Sequence, residues 1–173
     1  MSEPLAEVQT APGESQESVE KVRELIKDIK VAMLTTTGED GKLYSRPMYT
    51  QQTEFDGDVW FATSKSSSLV KQLMTNTAVL VQYANPESQR FLILSGEAAV
   101  LDDQDKKDEL WNPILEMYFK GGSTDPNLTL VHIASHRADY WDSPATPVRW
   151  FQFLAGVATG KRPAGDERGA VEL

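Results

Sequence analysis

The densest run of anion-holding groups is Thr63-Ser64-Lys65-Ser66-Ser67-Ser68, five hydroxyls and one ammonium placed where a strand gives way to a helix. Backbone N–H groups at a helix start attract anions, and hydroxyls beside a lysine add the donors a phosphate needs. The same residues also read as an N-cap followed by a solvated serine loop, and spacing alone favours that simpler role. Arg46, in Tyr44-Ser45-Arg46-Pro47-Met48, is the second candidate. A guanidinium inside a β-like run needs an acidic or phosphate partner if it is buried, and is an ordinary surface arginine if it is not. Pro47 takes one ladder hydrogen bond away from this run, which suits an edge, a bulge or a place where a ligand replaces the neighbouring strand.

Other chemistries find little footing. His132 and His136 stand four apart, a metal-binding spacing on a helix, but their surroundings read as strand and turn and no third ligand accompanies them, so no metal site is expected. The chain has no cysteine, which removes thiol catalysis, disulfides and thiolate metal sites together. No Ser-His-Asp order or Gly-x-Ser-x-Gly elbow points to a hydrolase. No strand runs into a Gly-x-Gly-x-x-Gly turn, so the dinucleotide fingerprint is missing. Trp111, Trp141 and Trp150 read as core or interface aromatics, and spacing does not say whether one stacks on a ligand ring. With 17 Lys and Arg against 26 Asp and Glu, a formal charge of −9 and no basic cluster, nucleic acid is not expected as a partner.

The elements that must position these residues can be read from periodicity. A chain of 173 residues that is 40% hydrophobic suits one domain with a core of its own. Met1 to Glu14 is acidic, carries Pro4, Pro12 and Gly13 and shows no apolar period, so it is predicted to be a disordered arm. Residues 15–160 form the predicted domain and 161–173 a polar C-terminal tail. Val19, Val22, Ile26 and Ile29 recur at helical spacing, with Ser15 or Ser18 as the cap. Val31 to Thr37, Leu43 to Phe55 and Val59 to Thr63 read as consecutive antiparallel strands, the last two joined by the tight turn Asp56-Gly57. A short helix carries Leu69, Val70 and Leu73, and Thr77 to Tyr83 and Phe91 to Leu101 are further strands.

Asp102 or Asp103 caps a helix expected to reach about Phe119, with a kink or restart at Pro113. Leu128 to Ile133 is the last strand region, with Tyr140-Trp141 after it, and Val148 to Thr159 fits strand or helix by period and is read as a helix stopped by Gly160. Six strands with tight turns and few helices point to a mainly β fold: a six-stranded antiparallel barrel with flanking helices, because closure removes exposed edges. No basic start, apolar signal region or run of about 18 apolar residues is present, so the chain is predicted to lack a membrane span and to be cytoplasmic.

From about Ser18 onward the chain resembles the pyridoxamine-phosphate-oxidase-like flavin-binding split barrels, of Greek-key type, and within them the bacterial general stress proteins. The resemblance is carried by Ser45-Arg46-Pro47-Met48, by Phe61-Ala62-Thr63-Ser64 with Leu73 and Asn76, and by Ser95-Gly96-Glu97-Ala98. Most specific are Leu110-Trp111-Asn112-Pro113, Tyr118-Phe119-Lys120-Gly121-Gly122, Asp125-Pro126, Ala138-Asp139-Tyr140-Trp141-Asp142 and Thr159-Gly160-Lys161-Arg162-Pro163. It implies a homodimer with FMN held between the subunits. Arg46, Pro47 and Met48 would line the flavin, and Thr63, Ser64, Ser67 and Ser68 would approach its ring edge, ribityl chain and phosphate. Trp141 would reach the flavin of the partner chain.

Two departures stand out. Leu69 occupies the place of a phosphate-binding lysine, leaving Lys65 or Lys71 to compensate. The Arg-Leu-His-x-Arg pattern that grips pyridoxal phosphate is replaced by a stretch with Pro144, Thr146 and Pro147, which argues against vitamin B6 oxidation. The resemblance implies an FMN-dependent oxidoreductase of unknown substrate linked to stress. Alternatives are a flavin-binding carrier or sensor without turnover and a structural dimer with an empty site.

Overall fold

A computed structural model describes residues 14–51, 55–142 and 167–173. The predicted arm, apart from Glu14, lies outside the described residues, as do the helix read at Val148 to Thr159 and the region of Pro144, Thr146 and Pro147. The chain runs α1 (Glu14–Ile26), β1 (Val31–Thr37), β2 (Leu43–Tyr49), β3 (Asp58–Ser64), α2 (Ser68–Thr75), β4 (Ala78–Asn85) and β5 (Arg90–Leu101). It continues through α3 (Gln104–Leu110), α4 (Pro113–Tyr118), a 3-10 turn at Gly122–Thr124, β6 (Leu128–Asp142) and β7 (Glu167–Glu172). No helix among the described residues is long and apolar enough to cross a membrane.

The sheet has the strand order β2-β1-β4-β5-β6-β3, with β7 pairing β6, and every ladder is antiparallel. This corrects the expected six-stranded barrel. Among the described residues the sheet has seven strands and is not closed: β2 and β3 end the path and share no ladder. A backbone bond of 3.4 Å from Gln51 N to Trp60 O is the tie seen between the chain after β2 and β3. With four α-helices among the described residues beside the sheet, the fold is mixed α and β rather than mainly β. Counting strands and turns sets the number of edges to be managed but not which edges meet, and closure depends on pairings that periodicity does not encode. One end is a strand made poor in ladder donors by Pro47, in keeping with an edge.

Strand alternation sorts the residues onto two faces. Leu34, Val81, Leu94 and Ala138 lie opposite one another on neighbouring strands and are fully buried, which marks the inner face. Phe61, Val131 and Ile133 extend the same core, and Val22 and Leu25 of α1 and Leu69 and Leu73 of α2 pack onto it. A smaller cluster, Leu115, Phe119 and Leu128, lies under α4. Strand β6, fifteen residues long, pairs with β5 along its length, with β3 through its first half and with β7 through its second. The pairing slips between Ser95 and Gly96. There a Cβ on Gly96 would overlap the Ala134 carbonyl oxygen, so the backbones approach as closely as only glycine permits.

Candidate cofactor site

At the end of β3 the chain turns into α2, and the serine run shapes the turn. Ser67 is the N-cap: its Oγ accepts from Val70 N at 3.3 Å, while Thr63 Oγ1 donates to Ser67 Oγ at 3.3 Å. Ser64 donates to Asn127 Oδ1 at 2.9 Å and meets Ser66 Oγ at 2.9 Å, and Lys65 N donates to Asn127 O at 2.7 Å. Ser68, the first residue of α2, is exposed. The first turn of α2 carries no acidic residue of its own to oppose an anion.

Arg46 arrives at α2 from the other end of the sheet. Its register partner is Leu34, which places it on the inner face, at the edge strand and beneath the helix. Nη1 donates to Thr36 Oγ1 at 3.0 Å and Nη2 to Gln72 Oε1 at 2.5 Å. Thr36 Oγ1 itself donates to the same Gln72 oxygen at 2.7 Å, closing a triangle of three side chains. Both acceptors are neutral. Partial burial lowers the guanidinium's pKa, since the charged form loses hydration. Ser67, the N-cap, and Gln72 are five positions apart, about 7.5 Å along the axis, so the hydroxyl loop and the arginine's partner belong to the same short helix.

The lysines behave differently. Lys65 Nζ lies 2.5 Å from Asp102 Oδ2, and the other oxygen of Asp102 takes the ammonium of Lys107, which is buried. Hydrogen bonds from Lys107 and then Lys65 hold the Asp102 carboxyl down at about 2. Lys65 is thus already met by a carboxylate, and Lys71 is solvent-exposed. Leu69 is 2% exposed and belongs to the main core, so that position points into the protein.

Comparison with known proteins decides the ancestry. The family model described as pyridoxamine 5'-phosphate oxidase like matches residues 17–164. The chain belongs to that family. Within it, the chain falls among the general stress proteins. It is 32% identical to the general stress FMN/FAD binding protein of Xanthomonas citri, with 76% of this chain and 92% of that one covered and a TM-score of 0.66. A general stress protein 26 from a Jannaschia species superposes with a TM-score of 0.73 at 21% identity, covering 91% of this chain and 99% of that one. The protein bli-3 of Neurospora crassa is 29% identical over 143 residues, 76% of this chain and 68% of its own length.

The residues that the family resemblance singles out fall into two groups. Arg46, Thr63, Ser64, Ser67 and Ser68 gather around α2, and Met48 lies beside the core on the inner face. Pro47 and Trp141 do not join them. Pro47 is exposed on the outer face opposite Met33. Trp141 is three positions from buried Ala138 and opposite the exposed Phe91, so it too lies on the outer face, four strands from β2. The sheet separates Trp141 from Arg46 within one protomer. His132, stacked on Trp60 with centroids 4.5 Å apart, is on the outer face, and His136 sits exposed at the β6 irregularity.

Sequence reasoning misses Thr36, Gln72, Asp102 and Asn127 as site residues. Gln72 has a signal: it follows Leu69 by three residues and adjoins Leu73, so it is a polar residue at the margin of the buried stripe of α2.

Proposed function

We propose that this chain binds FMN, with its phosphate at Arg46 and the Thr63 to Ser68 loop, and acts as a flavin-dependent oxidoreductase in a stress response. The observation that carries the reading is the Arg46 guanidinium, partly desolvated, bound among the described residues only to neutral oxygens, and tied through Gln72 to the helix whose start is rich in hydroxyls. Such a donor set fits a phosphate dianion, which accepts from guanidinium, hydroxyl and backbone N–H alike. The Xanthomonas citri relative is described as FMN/FAD binding, and kinship at 32% identity extends that property to this chain as a proposal. When bound, the flavin supplies the electron chemistry, while the protein binds, orients and tunes it. A carrier or sensor without turnover is the second reading, favoured by the placement of both histidines away from Arg46.

The proposal includes a homodimer. Tyr49, Val31, Met33, Leu80 and Phe91 form an exposed apolar sheet face, and Trp141 lies on it, so any contact of Trp141 with a flavin belongs to the partner's site. The test is comparative binding of FMN and riboflavin. Charge-assisted hydrogen bonds are worth roughly 1.5–3 kcal/mol each, so FMN should bind at least about tenfold more tightly. Arg46→Ala should narrow that gap. Equal affinity in the unmutated protein would overturn the phosphate site. Anaerobic mixing of the FMN complex with NADH or NADPH separates the two readings, since bleaching of the visible flavin band marks the oxidoreductase and its absence with both donors the carrier.

A further inference from the structure

We infer that Gln72, together with Thr36, is the positioning pair that holds Arg46 as an uncompensated cation, and that this sets the site's selectivity for a phosphomonoester over an uncharged alcohol. The inference rests on the proposed placement of the FMN phosphate at Arg46 and names the device behind it. It stands on the contrast between Arg46 and those cations that meet carboxylates, as Arg23 meets Glu20. Lys65 and Lys107 share Asp102, Arg137 forms a two-pronged pair with Asp139, and Arg90 lies 3.5 Å from Asp28. Among the described residues Arg46 has no carboxylate within pairing distance and is held by an amide oxygen and a hydroxyl instead.

The chemistry of that choice is specific. A carboxylate would orient the guanidinium just as well but would cancel its charge, and an incoming phosphate would have to displace it. The Gln72 amide oxygen accepts from Nη2 and fixes the plane of the fork while leaving the positive charge whole. Thr36 completes the geometry. Because its hydroxyl proton goes to Gln72 Oε1, its oxygen lone pairs face Arg46 Nη1, so the hydroxyl can only accept from the arginine. A guanidinium has five N–H donors, and the triangle uses two, leaving the rest of the fork for a ligand. Thr36 is buried on β1 and Gln72 is on α2, so the arginine's position is tied to both the sheet and the helix whose first turn carries the hydroxyls.

The experiment measures FMN and riboflavin affinity, across a range of salt concentrations, in the full chain and in Gln72→Glu, Gln72→Leu and Thr36→Val. Gln72→Glu keeps the size and the acceptor but adds the opposing charge. The preference for FMN should fall from tenfold or more to less than about threefold, with riboflavin affinity unchanged. In the unmutated protein the FMN preference should weaken as salt rises, because the charge is screened, and in Gln72→Glu it should hardly respond. Gln72→Leu and Thr36→Val leave the charge but loosen the fork, and each should lose part of the preference while retaining its salt dependence. A far-ultraviolet circular dichroism spectrum equal to that of the unmutated chain shows that each variant is folded, and Thr36→Ser, which restores the hydroxyl, should recover the preference that Thr36→Val loses. A full FMN preference in Gln72→Glu and Thr36→Val, with that preference lost in Arg46→Ala, would overturn this inference and leave the phosphate site standing. Equal affinity for both ligands in the unmutated protein would instead overturn the underlying reading.

Discussion

At the residue scale the charges near α2 divide the labour, and Asp102 shows how. Its carboxyl ordinarily titrates at 3.8 and is held at about 2 in the folded chain by Lys107 and Lys65. The folded-state value is the lower one, so the carboxylate's contribution to stability is fully present above 3.8 and is lost as pH falls through about 2. Unfolding midpoints measured between roughly pH 2 and pH 5 should therefore drop more steeply in the unmutated protein than in Asp102→Asn. At neutral pH that variant should be the less stable, because it leaves the buried ammonium of Lys107 without a countercharge, and Lys107→Met should restore much of the loss. Parallel curves for the two proteins would show that the pair is idle.

The same scale shows what can be read from one chain. Arg46 and the serine run are legible because a guanidinium inside a β-like run needs a partner if buried, and a run of hydroxyls marks a helix start. Their partners Thr36 and Gln72 are not, since a threonine within Thr35-Thr36-Thr37 gains its meaning only from the register that sets it under α2. The family pattern makes Leu69 a lost lysine, but the structure gives this side chain a different role. It is a core residue of α2, and a lysine there would have to leave the core or lose its charge.

Among the elements, those with strong local signals are the legible ones. Val31 to Thr37 is β1, Pro113 does restart a helix, and Asp103 and Asn112 cap the two pieces through Lys106 N and through Ile114 N and Leu115 N. Periodicity makes β6 too short because His136 and Arg137 interrupt its alternation, and the cause is the slip opposite Gly96. Strand β7 falls within the expected polar tail: Glu167-Arg168-Gly169-Ala170-Val171-Glu172 has no apolar period and becomes a strand through the free edge of β6. Gly96→Val tests the slip. With the Ala134 oxygen in the way of any side chain at this position, one backbone must move, at a cost of about 1–3 kcal/mol or more. A chemical denaturation midpoint equal to that of the unmutated chain would mean that the crossing is looser than it looks.

At the scale of the whole molecule, the sheet formed by the described residues leaves an outer face on which Val31, Met33, Leu80 and Phe91 are each between 37% and 42% exposed. Apolar patches of this kind mark association surfaces. Leu80→Glu and Met33→Glu should convert the expected dimer to a monomer in analytical ultracentrifugation while leaving the inner core intact. A 19.2 kDa species from the unmutated chain at micromolar concentration would refute the dimer.

The long strand β6 also sets a timetable. Strands β1 and β2 are joined by a tight turn and β4 and β5 by another, so these pairings close short loops, but among the described residues β3 pairs only with β6, Ser64 meeting Leu128 and Asp58 meeting Ala134. Closing so long a loop costs more chain entropy than closing a hairpin, and it must follow the arrival of β6. The end of β3, from which the hydroxyl loop springs, is therefore the last part of the sheet to settle, and the protein should gain its ligand only at the close of folding. Pulse-labelled hydrogen exchange during refolding should protect the amides of β1, β2, β4 and β5 before those of β3, and simultaneous protection would contradict that order.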